Sequence, residues 1–210
     1  MGFATLRIDD MDQATRYRMV TSCTVPRPIA WVTTQSAAGV VNAAPFSSYN
    51  YIAHSPPMVA INMGSRAGAR KDTARNMIET KEFVINVPTE ETLDLMHQTA
   101  GEYDADVSET DLLNIPLMPS ELVKPPRIAI SPIHMECRLT QVLALGTGHN
   151  TLYIGEIVAF HLRDDIFDGQ RVDFSRLKPV ARMGGPYYST IGELIFRERA
   201  FTTPDSGDAD

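Results

Sequence analysis

Apolar positions along the chain gather in short runs that alternate with polar residues or continue unbroken for five or six positions, and the runs are separated by Gly, Pro and small polar residues. That spacing predicts strands. The run IAWVTT at 29–34 is β-branched and aromatic and is held between Pro28 and the small turn SAAG at 36–39. A second run at 40–44 follows it, so an antiparallel hairpin is the simplest reading. Further strands are predicted at 58–63 (MVAINM), at 82–87 (EFVINV), and as a long pair, 134–145 and 152–163, joined across GTGHN. The segment 45–57 has Pro at both ends and six hydroxyl or amide side chains, and reads as an irregular strand and loop lining a site.

Helical patterns are few and short. Asp12 is placed to cap a helix over 12–20, Asp72 to cap DTARNMIET, and Thr89 to cap a helix over 89–100 with two glutamates in its first turn. A further short helix can begin at Ser108. The chain is therefore expected to be mainly β with a few short helices, a β-barrel rather than a doubly wound parallel sheet. At 210 residues one domain over 1–200 is expected, followed by a disordered acidic tail at 201–210.

Charge narrows the partners. The 26 Asp and Glu outnumber the 19 Lys and Arg, which argues against nucleic acid, since phosphate backbones are bound by basic faces. No apolar run approaches the roughly 20 residues of a membrane span, and the first residues lack the apolar centre of a signal peptide, so no membrane role and a cytoplasmic location are expected. Cys23 and Cys137 lie too far apart to form a CxxC pair, and each is expected to be a small buried side chain.

Several chemistries are excluded by spacing: GxGxxG after a strand, GxxxxGK[ST], HExxH and GxSxG are all missing. The five histidines, at 54, 97, 134, 149 and 161, show no metal-ligand spacing, and no metal is expected. What stands out is a local reversal of charge. Between positions 63 and 75 Arg66, Arg70, Lys71 and Arg75 meet a single acid, Asp72, with hydroxyls at Ser65 and Thr73. Cations, hydroxyl donors and the open N–H groups of a helix start are what a phosphate needs, although the same loop could simply be solvated. A second feature is NAAPFSS at 42–48, where Ala43 and Ala44 would let a flat ring approach the backbone, or would pack against a neighbouring element. The stretch 101–126 is acidic and proline-containing, carries Glu102, Asp104, Asp106, Glu109 and Asp111 well ahead of its one base at Lys124, and reads either as a solvated excursion or as a lid.

Taken in order, RPIAWVTT, NAAPFSSYN, SPPMVAINM, the SRxxxxKDTxxN pattern (Ser65, Arg66, Lys71, Asp72, Thr73, Asn76) with EFVIN, then YIGEIVAFHLRDD and LKPVARMGGPYY, resemble the flavin reductase-like, FMN-binding split-barrel proteins. The resemblance covers nearly the whole chain apart from its ends. It implies a split β-barrel homodimer holding FMN non-covalently near the subunit interface. Ser65, Arg66, Lys71 and Thr73 would hold the phosphate. Thr33, Thr34, Ser47 and Ser48 would flank the flavin and its ribityl chain, and the backbone of Asn42, Ala43, Ala44, Pro45 and Phe46 would meet the ring edge. Asp72 would cap its helix rather than touch the anion, because a carboxylate beside a phosphate is repelled.

The function so implied is NAD(P)H-dependent hydride transfer through bound FMN to free flavin or a small acceptor, with a monooxygenase as a candidate partner. A flavin mainly needs positioning and hydrogen bonds, in agreement with the lack of a side-chain nucleophile. The alternatives are a flavoredoxin-type electron carrier without nicotinamide reactivity, or a barrel holding haem or another ligand. His149 and His161 are expected to be structural, and no nicotinamide site or catalytic residue is identified.

Overall fold

The computed structural model describes residues 1–65, 68–104, 106–147 and 150–198; Arg66, His149 and the tail at 201–210 lie outside the described residues. The first helix, α1 (Gln13–Cys23), begins where expected, the Asp12 carboxylate accepting from the Thr15 N–H at 2.7 Å, and continues three residues beyond the predicted end. None of its residues is buried, so Cys23 is exposed, against expectation, whereas Cys137 is fully buried. The strands β1 (Arg27–Pro28), β2 (Ala30–Gln35), β3 (Val41–Phe46), β4 (Tyr49–His54) and β5 (Pro57–Gly64) follow, then α2 (Asp72–Thr80) and β6 (Glu82–Asn86). A capping box between Thr89 and Thr92 opens a 3-10 turn that leads into α3 (Leu93–Gln98). Next come α4 (Glu109–Leu112), β7 (Leu117–Met118), β8 (Arg127–Ile128), the long pair β9 (Ile133–Leu145) and β10 (Asn150–Leu162), α5 (Phe174–Leu177), β11 (Ala181–Arg182) and β12 (Tyr188–Ser189).

Seven strands form one antiparallel sheet in the order β3-β2-β6-β9-β10-β5-β4. Its two edges, β3 and β4, are consecutive in the chain and are joined only by Ser47 and Ser48. Strands of a flat sheet lie about 4.8 Å apart, which would put these edges about 29 Å from one another. Three Cα steps reach about 10 Å. The sheet must therefore curl until its first and last strands meet at the Ser47–Ser48 corner, and because β3 and β4 share no ladder the result is a split β-barrel. The segment 45–57, expected to be irregular, is thus the end of one edge strand, the corner and the other edge strand. Pro45 is tolerated because β3 is paired on one side only, where no second ladder asks for its missing N–H.

Both faces of β2 are buried, which explains its unbroken apolar run. Ala30 and Val32 point into the barrel with Phe46, Ile61, Phe83, Ile85, Met135 and Tyr153. Ile29 and Trp31 point outward into a second cluster with Met96 of α3, Ile115 and Ile128 of the 113–130 segment, and Val180 just ahead of β11. Helix α2 adds Ala74 and Met77 to the barrel interior and so plugs one mouth.

Gly155, at a register shift between β9 and β10, lies where a Cβ would come within 2.5 Å of the Phe83 ring and 3.2 Å of the Arg138 carbonyl oxygen. Gly155→Ala is expected to lower stability by about 1–3 kcal/mol through overpacking, read from urea or thermal melts. The loss should shrink in a Gly155→Ala/Phe83→Leu double variant, and equal losses in both backgrounds would disprove the contact.

Candidate functional site

Beside the corner lies a cleft of about 260 Å³, walled by the start of α2, by Asn42, Ala44 and Pro45 of β3, and by residues 99–103. A compartment of about 400 Å³ adjoins it and shares Pro45, Lys71 and Ala100. It extends to Ser47, Ser48, Arg182 and Tyr188. Strand β11, paired with β1 and β12 in a small sheet, carries Arg182 there, and its guanidinium lies 4.5 Å from the centre of the Tyr188 ring. The Tyr188 hydroxyl is 2.8 Å from His97 Nδ1. Arg27 donates to the carbonyls of Thr21, Thr24 and Met183, fastening the end of α1 over this compartment.

Helix α2 opens directly into the cleft. Its N-cap is Lys71, which supplies no side-chain cap, so Asp72 is not the cap that the sequence suggested. Asp72 is the first helical residue, and its carboxylate is turned to Arg75 three residues on. The N-cap therefore offers the leading N–H groups of α2 no side-chain acceptor among the described residues where they face the cleft, next to Arg70 and Lys71. Lys71 Nζ lies 5.4 Å from the centre of the Phe46 ring, a cation over an aromatic face that anchors the lysine between the two compartments. Ser65, at the head of the basic loop, has a buried hydroxyl that finds no hydrogen-bond partner among the described residues. An unbonded buried hydroxyl, an uncapped helix start and adjacent cations together suit an anion.

The other predicted residues separate into two groups. Ala44, Pro45, Ser47 and Ser48 line the cavities, whereas the Phe46 side chain is buried in the barrel. Thr33, Thr34 and Thr73 are fully buried and their hydroxyls are bonded to protein groups: Thr33 donates to the Pro126 carbonyl at 2.6 Å, and Thr73 donates to Asn42 Oδ1 at 2.8 Å. Thr34 lies 3.4 Å from that same oxygen and accepts from Asn76 Nδ2 at 3.1 Å. Asn42 in turn donates to Glu109, as does the backbone N–H of Ala43. Thr33 and Thr34 brace the site from beneath, whereas Asn42 and Thr73 edge the cleft with their side chains already engaged by protein partners.

Sequence reasoning assigned no individual role in the site to Arg70, Glu109, Arg182 or the Thr99–Tyr103 wall. The acidic stretch was the available signal for Glu109 and the wall, and GGPYY for the arm that carries Tyr188. The solvated reading of that stretch fails at Glu109, which is 6% exposed, while Gly101, Glu102 and Tyr103 edge the cleft.

Residues 21–185 match the family described as flavin reductase like domain. The chain belongs to that family. It is 36% identical to the uncharacterized protein BH2278 of Halalkalibacterium halodurans over 199 residues, covering 92% of this chain and 95% of that one. Among solved structures it is similar to nitrilotriacetate monooxygenase component B from Bacillus cereus, with 31% identity, a TM-score of 0.91 and coverage of 94% and 100% of the two chains. It is also similar to the 2-nitrobenzoate 2-nitroreductase NbaA of Pseudomonas fluorescens, with 30% identity, a TM-score of 0.87 and coverage of 97% and 100%.

In this flavin reductase-like chain His134 and His161 serve structural ends. His161 Nε2 lies 2.7 Å from Glu136, a carboxylate with no exposed surface that also accepts from the N–H groups of Glu121 and Leu122. Burial alone would raise the Glu136 carboxyl, but those hydrogen bonds outweigh it and hold the group below its usual range. Among the described residues no cluster of His, Cys, Asp and Glu is arranged to hold a metal. His134 bonds Asn86 Oδ1 at 2.8 Å; since Asn86 donates its amide to the Trp31 carbonyl, the imidazole carries the proton on Nδ1.

Burial, aided by the nearby Arg127 and His161, pushes His134 down to about 4 from 6.5. Between those values the unfolded chain binds a proton that the native protein refuses, so stability falls as pH falls from 6.5 towards 4, by up to about 3 kcal/mol. His134→Gln should flatten this slope in urea melts at pH 7, 6 and 5, a window above the range in which Glu136 protonates. An unchanged slope would remove His134 as its cause.

Proposed function

We propose that the protein binds FMN in the cleft at the barrel split and acts as an NAD(P)H-dependent oxidoreductase that passes hydride to free flavin or a small acceptor. The observation that carries this reading is the uncapped start of α2, opening beside Arg70 and Lys71 into a cleft in an acidic protein. Ser65, Lys71 and the leading N–H groups of α2 would hold the phosphate, and Pro45, Ser47 and Ser48 would flank the ring. Bound flavin would supply the hydride-accepting ring, and the residues around it would position partners and exclude water.

The neighbouring compartment supports an anionic second substrate such as a nicotinamide dinucleotide. Among its described lining residues are Arg27, Lys71 and Arg182 but no carboxylate. Family membership supports flavin chemistry, and the likeness to a monooxygenase component B supports an oxygenase as one consumer of reduced flavin. Apolar side chains that this chain leaves exposed, Phe3, Leu6 and Ile8 near the start and Val142, Leu143 and Phe160 on the long hairpin, support a homodimer. Sedimentation equilibrium is expected to return twice the 23.2 kDa chain mass, and a monomer at micromolar concentration would remove this part of the proposal.

The protein is expected to take up FMN and show flavin absorption that NADH or NADPH bleaches without oxygen. A flavoredoxin-type carrier would bind FMN and stay oxidised. Lys71→Ala is expected to weaken FMN binding by about 1–3 kcal/mol, the range for one charge-assisted hydrogen bond. Unchanged affinity in a fluorescence-quenching titration would displace the phosphate from this end of the cleft.

A further inference from the structure

Glu109 is a carboxylate of the short helix α4, 6% exposed, on a stretch whose other acids belong to the surface. A buried carboxylate is tolerated only when its oxygens are bonded, and both are: Oε1 accepts from Asn42 Nδ2 at 2.7 Å and Oε2 from the Ala43 N–H at 3.0 Å. The second bond also covers a backbone donor on edge strand β3. A carboxylate can only accept, so it fixes which end of the Asn42 amide faces it. Asn42 Oδ1 is thereby turned to α2, where it receives the Thr73 hydroxyl at 2.8 Å. Thr73 is the second residue of α2, directly behind the open N–H groups of its first turn.

Resting on the FMN reading above, we infer that Glu109 is a positioning residue for the cofactor phosphate: through Asn42 and Thr73 it sets where the start of α2 sits relative to the β3 platform. The relay is directional. Acceptor, amide and hydroxyl alternate so that each donor has one acceptor, and reversing any member leaves two donors or two acceptors face to face. It also ties the acidic segment that walls the cleft to the helix that faces it.

The pairing supplies its own test. In Glu109→Gln one carboxylate oxygen becomes an NH2 group that confronts a donor. In Asn42→Asp two carboxylates face each other. In the combined Glu109→Gln/Asn42→Asp variant the pattern is restored in reverse: the introduced glutamine donates its NH2 to the introduced aspartate, the glutamine oxygen takes the Ala43 N–H, and the second aspartate oxygen keeps the Thr73 hydroxyl. Affinities for FMN and for riboflavin, which lacks the phosphate, are measured by flavin fluorescence quenching.

Each single variant should lose tenfold or more in FMN affinity and stay within twofold for riboflavin, and the double variant should recover FMN affinity to within threefold. Parallel losses for both flavins, no loss for either, or no recovery in the double variant would overturn the inference, the first of these marking a merely structural role. Wild-type protein that takes up neither flavin would instead overturn the FMN reading itself. If an isolated single variant does not fold, the double variant still decides, because only a restored relay predicts its phosphate-selective affinity.

Discussion

The two-residue corner at Ser47 and Ser48 is the constraint on which the rest of the molecule depends. It joins strands that lie at opposite edges of a seven-stranded sheet, and a chain that short cannot cross a flat sheet. Curling brings β3 and β4 together without a ladder between them, and the site lies beside the split. Opening it further would separate Pro45 and Ser48 from Lys71 at the start of α2. A binding site placed there uses a seam that the fold must have in any case.

Two layers of apolar packing hold the curl. The barrel interior takes one face of β2 and the second cluster takes the other, so the strand that carries Trp31 is covered on both sides. Buried polar groups then fix the relative positions of the elements. The Asn86 amide spans β2, β8 and β9, donating to the Trp31 carbonyl and accepting from the Ile128 N–H and His134. The Glu109–Asn42–Thr73 relay does the same for α4, β3 and α2. Each group is satisfied by partners from distant parts of the chain, so each specifies one arrangement and penalises others.

This division accounts for how the candidate residues were sorted. Thr33, Thr34 and Thr73 look like ligand-binding hydroxyls in a string of letters, yet each is buried and has a protein acceptor, although Thr73 still edges the cleft. Asp72 has the residue type and position of an N-cap, but the helix starts one residue earlier and its carboxylate goes to Arg75. Conversely, Glu109 reads as one more acid in a solvated run, and only its burial separates it from Asp111. Local sequence records residue type and spacing, whereas whether a hydroxyl is spent or available depends on partners that for Thr33 and Thr73 lie 93 and 31 positions away.

By itself the sequence determined the main strands on either side of the 45–57 segment, the helix caps at Asp12 and Thr89, a short helix start at Ser108, and the basic loop ahead of α2. These are properties of neighbouring residues: β-branched runs, proline positions, hydroxyl caps and local charge. Tertiary structure alone decided that the two edge strands meet, that Lys71 stands between two compartments, and that Arg182 and Tyr188 arrive from the far end of the chain. It also decided that Asn42 is held from behind by Glu109. Those are long-range contacts, and they follow from a sheet that has to bend to satisfy one short connection, which no local pattern of residues encodes.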